Sequence, residues 1–207
     1  MDKTLKMDQY EMDALTEVGN VGVGNATTAL SKLLDKRVAI NIPETKFVAV
    51  ERFADELGGA EQTVVTVYLQ VTGDLNGEVI FIFPRKGAME LVDLIMNKSP
   101  GTTKLMEAME ESAFKEMANI FTSSYLNALA KMFDMKIIHS VPHLAIDMAQ
   151  AIIDFVLIKL SQTADNLLCV KTNISIEKHN IDGTFMILFD KESLSRIINL
   201  LKSQYKI

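Results

Sequence analysis

Two long stretches of the chain, residues 8–35 and 103–133, carry apolar and small residues at helical spacing. A repeat of three to four positions is typical of a helix that packs one face on a core. Shorter stretches with the same spacing close each half of the chain, at 86–96 and 192–201. The pattern therefore predicts a long helix at the start of each half and a shorter helix at its end.

Between these helices the apolar positions alternate, which is typical of half-buried strands. The predicted strands are 37–42, 46–51, 63–72 and 78–83 in the first half, and 136–141, 154–161, 168–177 and 184–189 in the second. Turns are predicted at Gly58-Gly59 and at 73–77, and Ser99-Pro100-Gly101 marks the midpoint. Both halves therefore have the same predicted order of helix, strands and helix.

The two long helices share one polar motif. It consists of Asp or Ser, a Glu four positions later, an Asn three positions after the Glu, and a Pro 23 positions after the Asn. The first copy is Asp13, Glu17, Asn20 and Pro43, and the second copy is Ser112, Glu116, Asn119 and Pro142. Positions i, i+4 and i+7 lie on one face of a helix. Because exposed Glu and Asn have no packing reason to stay in register, we interpret the two faces as two copies of one working site.

The duplication extends beyond the motif. The offset between the halves is 99 residues at the motif and 106 at the last strands, 77–83 and 183–189, so the second half has a net seven extra residues. We assign them to residues 144–151, predicted to be a short helix-like element without a counterpart. Two copies are too few for a solenoid.

We therefore expect one domain over residues 1–207, made of two repeats at about 8–101 and 102–204. Its strands would join in one mainly antiparallel sheet under the paired long helices that carry the motifs. The predicted fold class is α+β with pseudo-twofold internal duplication.

Three glycines, Gly19, Gly22 and Gly24, interrupt the first long helix, where each costs up to about 1 kcal/mol relative to alanine. They indicate either close packing of that face on another element or space beside Asn20 for a docking protein, and both interpretations stay open. Their spacing fits no phosphate-binding loop, because no strand signal precedes them and no Lys-Ser/Thr pair follows.

Composition narrows the range of functions. The net charge of −6 argues against nucleic acid or an anionic membrane as the main partner. No apolar run reaches the ~20 residues of a membrane span, and the N-terminus lacks the pattern of a signal peptide, so we expect a cytoplasmic protein without membrane insertion. The one cysteine, Cys169, lies in a predicted strand and is expected in the core. No metal site is predicted, since His139, His143 and His179 are scattered along the chain. His139 and His143, which flank Pro142, are expected to face solvent.

Glu and Asn are the functional groups that both motif copies share. Ser112 replaces Asp13 in the second copy, so a mechanism with two carboxylates cannot operate in both halves. A carboxamide has a donor and an acceptor, so it can hold a water molecule in line with a leaving group, as phosphoryl transfer requires. Glu would repel a phosphate but can pair with a Lys or Arg beside one. The motif therefore predicts a visiting phosphorylated macromolecule that brings its own cation and metal.

The complete motif resembles that of the CheC/CheX/FliY family of chemotaxis phosphatases, [Asp/Ser]-x3-Glu-x2-Asn-x22-Pro. Two motifs without a further domain resemble the CheC type, because CheX carries one motif and FliY adds a flagellar-switch domain. The resemblance implies a sheet of about six strands and dephosphorylation of CheY, a response regulator of two-component signalling. It also implies two catalytic pairs, Glu17/Asn20 and Glu116/Asn119, in which Asn positions the attacking water and Glu contacts a lysine of CheY. The protein would need no cofactor of its own, since the Mg²⁺ would belong to CheY.

The resemblance implies a second partner as well, the receptor-modifying deamidase CheD. It would bind a short helix after the second proline, which corresponds to residues 145–148 and includes Asp147 and Met148. Two alternatives stay open: an adaptor that binds phospho-CheY or CheD with little turnover, and a component of the flagellar switch. We expect a monomer, and the relative activity of the two sites is undecided at this point.

Overall fold

The computed structural model describes residues 9–49, 59, 61–160 and 166–205, and this part of the chain forms five helices and seven strands. The helices are α1 (Gln9–Leu34), α2 (Arg85–Ile95), α3 (Ala108–Phe133), α4 (Ala149–Leu160) and α5 (Lys191–Tyr205). The strands are β1 (Val38–Ala49), β2 (Thr63–Gly73), β3 (Gly77–Pro84), β4 (Ile137–His139), β5 (His143–Met148), β6 (Asn166–Ile176) and β7 (His179–Phe189). The predicted α+β class is confirmed, with two long helices in the predicted places.

The seven strands join one antiparallel sheet. Its order is β1-β6-β7-β3-β2, and β4 and β5 pair with successive parts of the remaining edge of β2. Each half gives its first strand to the other half: β1 pairs with β6, while β4 and β5 pair with β2. The two repeats are therefore interleaved, and neither half completes the sheet alone.

The register of the two central strands shows the pseudo-twofold symmetry. Ile80 of β3 lies opposite Met186 of β7. Met186 is also the residue that corresponds to Ile80 in the second half, at the 106-residue offset. Near one end of this pair, a Cβ added to Gly183 would collide with the ring of Phe83, so glycine leaves the room that this ring occupies. The symmetry axis therefore passes between Ile80 and Met186.

The first strands of the two repeats match along their whole length. Shifting β1 by 99 residues gives residues 137–148, which run from the start of β4 to the end of β5. Pro43 lies where the register of β1 on β6 shifts, between Asn41 and Glu44, and Pro142 lies in the gap between β4 and β5. Because proline has no N–H to donate to a ladder, the repeated proline interrupts the edge strand at the same place in both halves.

Two predictions in the second half are wrong. Residues 144–151, predicted to be helix-like, are mostly strand β5, and residues 154–161, predicted to be a strand, form helix α4 as far as Leu160. Since β5 has its counterpart in β1, the extra residues of the second half lie after Met148. Short apolar runs do not distinguish helix from strand. Here the open edge of β2 favoured a strand in the first case, and packing on the second face of the sheet favoured a helix in the other.

Some predicted boundaries also differ from the structure. The strands predicted at 37–42 and 46–51 form one strand as far as Ala49, and residues 50–51 lie outside the described residues, as do residue 8 and Gly58. Helix α3 begins at Ala108 rather than at residue 103, because Glu107 and Glu110 form a capping box there.

Among the described helices, four pack on one face of the sheet and α4 packs on the other. Apolar residues of α1, α2, α3 and α5 form a single core with alternate residues of β2, β3 and β7. At its centre the rings of Phe81, Phe121 and Phe185 pack with centroids 4.9–5.1 Å apart. On the second face, the ring of Phe155 in α4 lies 5.7 Å from the ring of Tyr68. Both motif helices therefore lie on the same side of the sheet.

Gly22 allows the two motif helices to approach each other. Tyr125 of α3 is buried against it, and a Cβ added to Gly22 would lie 2.8 Å from Cε2 of the ring. Gly19 lies near the other end of the same side chain, since its added Cβ would be 3.6 Å from the Tyr125 hydroxyl. Gly24, by contrast, has no heavy atom within 4 Å of an added Cβ. Close packing thus explains Gly22, whereas Gly24 faces open space.

We expect Gly22→Ala to destabilise the protein, although alanine is the better helix former. The new methyl must displace a buried ring, which costs about 1–3 kcal/mol and exceeds the gain of up to ~1 kcal/mol from helix propensity. Gly24→Ala is the matched control, because its methyl meets open space and should raise the free energy of unfolding by up to ~1 kcal/mol. Urea unfolding measures both values. Equal stabilisation by both substitutions would show that the ring of Tyr125 does not pack against Gly22.

Candidate active site

The Glu and Asn of both motif copies lie on accessible helix surfaces. Glu17 and Asn20 are exposed on α1, while on α3 Glu116 is exposed and Asn119 is half-buried. Within the described part of the chain, no hydrogen bond or ion pair occupies any of these four side chains. All four are therefore available to a visiting molecule.

Core packing on the opposite side of each helix fixes this orientation. On α3 the buried Phe114 and Phe121 belong to the core on the sheet, and Glu116 and Asn119 occupy the remaining side of the same turns. On α1 the fully buried Ala26 belongs to the same core. Ala26 and the buried Tyr125 each lie six positions after the Asn of their motif, so the core lies on the same side of both helices and both polar faces turn away from the sheet.

The start of α3 is anchored just before the second motif. Nζ of Lys98 lies 2.7 Å from Oε1 of Glu110, which also forms the capping box with Glu107. The hydrogen bond from Lys98 is the main cause that lowers the pKa of Glu110. Since Ser112 and Glu116 lie in the next two turns, this anchor restrains the helix that presents the second site.

The other motif residues differ in their relation to the site. Ser112 is exposed on α3, one turn before Glu116. Asp13 lies in α1, but its side chain is outside the described residues. Pro43 and Pro142 interrupt edge strands of the sheet rather than standing on the helices. Of the residues that the two motifs share, Glu and Asn are thus the ones presented on the helix surface.

One pair of residues beside Asn119 was not predicted. Ser123 follows Asn119 by one helical turn, and its Oγ lies 2.8 Å from Nε2 of His139 in β4. Nδ1 of the same ring lies 2.9 Å from the carbonyl oxygen of Ser140. His139 is therefore half-buried and bonded through both ring nitrogens, and the expectation that it faces solvent is wrong. The position of Ser123, seven residues after Glu116, was a signal that it shares the motif face, but its pairing with His139 depends on the fold.

Tyr125 lies between the motif helices as a neutral group. It is buried beside Gly22, and this burial raises the pKa of its hydroxyl well above the usual value for tyrosine. The hydroxyl therefore remains protonated and adds no base to the surface near Asn20.

The residues predicted to contact a second partner lie on strand β5 instead of a helix. Asp147 and Met148 are both exposed, and Oδ1 of Asp147 accepts a hydrogen bond of 2.8 Å from the N–H of Met148. Asp147 and the partly exposed Phe155 of α4 line one cavity of about 430 Å³ on the second face of the sheet. The prediction of a short helix at residues 145–148 is wrong, because these residues pair with β2.

The functional groups that both motif faces share are a carboxylate and a carboxamide. Among the described residues, no three His, Cys, Asp or Glu side chains come together as a metal site. In the same part of the chain, the helices lack the combination of length and apolar character that crossing a membrane requires.

Comparisons with known proteins match both motif-bearing segments of the chain. The model of the CheC-like family matches residues 11–46 and 109–146, the two segments that run from each motif helix into its edge strand. The CheY-P phosphatase CheC of Bacillus subtilis is 33% identical over 193 residues, which cover 91% of this chain and 92% of that protein. The flagellar motor switch phosphatase FliY of the same bacterium is 25% identical over 137 residues, which cover 66% of this chain and 35% of that protein.

A solved structure has the same fold. The X-ray structure of Thermotoga maritima FliY superimposes with a TM-score of 0.79 and covers 96% of this chain and 99% of that one, at 19% sequence identity. This likeness supports the interleaved sheet and the placement of the two motif helices on it. This chain belongs to the CheC-like family, because its 33% identity to CheC of Bacillus subtilis extends over nearly the full length of both proteins.

Proposed function

We propose that this protein hydrolyses the aspartyl phosphate of the chemotaxis response regulator CheY at two sites, Glu17/Asn20 on α1 and Glu116/Asn119 on α3. The observation that carries the proposal is that both pairs are accessible and unpaired on helices whose other side is held in the core. The similarity to relatives named CheY-P phosphatases supports the choice of substrate.

The carboxamide of Asn acts on the attacking water. Its oxygen accepts a hydrogen bond from the water and its nitrogen donates one, so the water is held in line with the bond that breaks. The water oxygen bonds to phosphorus as the bond between phosphorus and the aspartyl oxygen breaks, which gives inorganic phosphate and free aspartate. A carboxamide takes up no proton at neutral pH, so the proton of the water passes to the departing phosphate. Catalysis by position suits the loose transition state of phosphoryl transfer.

The Glu of each pair contributes to docking. Its carboxylate would repel the phosphate, but it can form a charge-assisted hydrogen bond with a lysine beside the phosphate of CheY. The Mg²⁺ that neutralises the phosphate belongs to CheY, and this protein adds no cofactor of its own. Since the Glu and Asn of each site lie on one helix of the same chain, we expect the protein to act in the cytoplasm as a monomer.

Replacing both asparagines should abolish most of the activity. We expect Asn20→Ala with Asn119→Ala to slow phosphate release from phosphorylated CheY by roughly 10²-fold or more, the usual cost of removing one preorganised polar group. The matched control is Asn25→Ala with Asn127→Ala, which removes exposed amides from the same helices in the groove between them. Unchanged hydrolysis by the protein without Asn20 and Asn119 would refute the mechanism.

Replacing the glutamate should weaken docking more than turnover. In a protein that carries Asn20→Ala, so that the second site alone works, Glu116→Gln should raise KM roughly fivefold, which corresponds to the loss of an ion pair worth about 1 kcal/mol. Higher salt should raise the KM of the unsubstituted protein in the same direction, because it screens exposed charges. A fall in kcat at constant KM would instead assign Glu116 to the chemical step.

We also propose that the protein is an adaptor for CheD through β5 and α4. The supporting observation is a surface on the second face of the sheet, where the exposed Asp147 and Phe155 line one cavity and the exposed Ile158 follows Phe155 by one turn of α4. Such a mixture of one charge and apolar groups is typical of protein interfaces. It lies on β5 and α4, apart from the Glu/Asn faces of α1 and α3.

Asp147→Lys should abolish binding of purified CheD and leave hydrolysis of phospho-CheY unchanged. The charge reversal places an uncompensated cation in the proposed interface, which costs more than the loss of a peripheral contact. Titration calorimetry measures the binding, and Glu192→Lys on α5 is the control for a reversed surface charge elsewhere. Equal binding by all three proteins would exclude this surface as the CheD site.

A further inference from the structure

The two proposed sites differ in one neighbouring group. On α3, Ser123 follows Asn119 by one turn on the motif face and is bonded to His139. On α1, the corresponding position is Gly24, whose added Cβ would meet no heavy atom within 4 Å. The position that corresponds to His139 in the first half is Ile40, which is packed against the core. The first site therefore has neither the hydroxyl nor the imidazole.

The hydrogen bonds of His139 determine which group donates to which. Nδ1 lies 2.9 Å from the carbonyl oxygen of Ser140, and a carbonyl oxygen only accepts, so Nδ1 carries the ring proton. In the neutral ring, Nε2 is then an acceptor, and the hydroxyl of Ser123 donates to it over 2.8 Å. With its proton committed to His139, the oxygen of Ser123 presents only lone pairs to its other neighbours.

Ser123 is within side-chain reach of the Asn119 carboxamide. Side chains four positions apart on a helix have Cβ atoms roughly 5–6 Å apart, and the side chain of the later residue leans back over the preceding turn. In this structure, Asn119 makes no hydrogen bond to another described residue. Its amide nitrogen is thus available to donate to an acceptor on the same face.

We propose that Ser123, held by His139, is a positioning residue of the second site that orients the carboxamide of Asn119. When CheY is bound, the lone pairs of the Ser123 oxygen accept a hydrogen bond from the amide nitrogen, which Asn119 does not form in the free protein, and the amide oxygen turns towards the attacking water. This inference rests on the proposed phosphatase function and extends it. Gly24 supplies no such acceptor to Asn20, so we expect the second site to have the higher kcat.

The test isolates the second site by placing each variant in the Asn20→Ala protein. Ser123→Ala should lower kcat for phospho-CheY hydrolysis roughly five- to tenfold, the effect of losing one neutral hydrogen bond, with KM unchanged. Ser123→Thr keeps the hydroxyl and should retain the rate, whereas His139→Phe removes the acceptor on the ring and should lower kcat as Ser123→Ala does. The control is Ser124→Ala, which removes a neighbouring hydroxyl from the groove side of α3 and should have no effect.

A second background separates positioning from damage to the fold. In the Asn119→Ala protein only the first site works, so Ser123→Ala should leave the rate unchanged there. A similar loss of rate in both backgrounds would mean that the substitution disturbs the fold, and the proposal would be wrong. It would also be wrong if Ser123→Ala kept full kcat in the Asn20→Ala protein.

The protein that lacks both Asn20 and Asn119 separates the role of Ser123 from the phosphatase mechanism itself. If the protein without both Asn20 and Asn119 still hydrolyses phospho-CheY at the normal rate, the phosphatase mechanism fails at its first step. If that protein is inactive and Ser123→Ala has no effect on the second site, the mechanism stands and only the role of Ser123 is refuted.

Discussion

The exchange of first strands between the two halves is the constraint on which the rest of the structure depends. Because β1 completes the sheet beside β6, and β4 with β5 completes it beside β2, each half is closed by the other. Each motif helix leads directly into an exchanged strand, with α1 ending at Leu34 before β1 and α3 ending at Phe133 before β4. The exchange therefore brings the two helices together over the centre of the sheet and turns both motif faces to the same side.

The packing between the two helices is less symmetric than the backbone. Tyr125 of α3 fills the space at Gly22, while the residue that corresponds to Tyr125 in the first half is Ala26. Interiors are packed densely, so a large side chain on one helix requires a small one on the other. Two identical large residues would collide, and two identical small ones would leave a cavity. The duplicated core thus has a packing reason to diverge.

The surface of the same helices behaves in the opposite way. Glu17 and Glu116 are identical, as are Asn20 and Asn119, although the residues beneath them have changed. Polar pairing inside the fold does not account for this identity, since the four side chains form no hydrogen bond or ion pair with a described residue. Identity at the exposed positions and divergence in the core are together the pattern expected when the surface binds the same molecule twice. The neighbours Ser123 and Gly24 show that the two surfaces nevertheless differ in detail.

Spacing along the chain was enough to predict the features that lie within a single helix. The helical period and the repeated motif were sufficient to predict α1, α3 and the shared face of Glu116 and Asn119, because residues on one helix face are neighbours whatever the fold is. The tertiary structure alone decided that residues 143–148 form a strand and residues 149–160 a helix, because an open strand edge and an uncovered sheet face are supplied by distant parts of the chain. It also decided the pairing of Ser123 with His139 and of Gly22 with Tyr125. These contacts join different elements, and local spacing carries no information about which elements will meet.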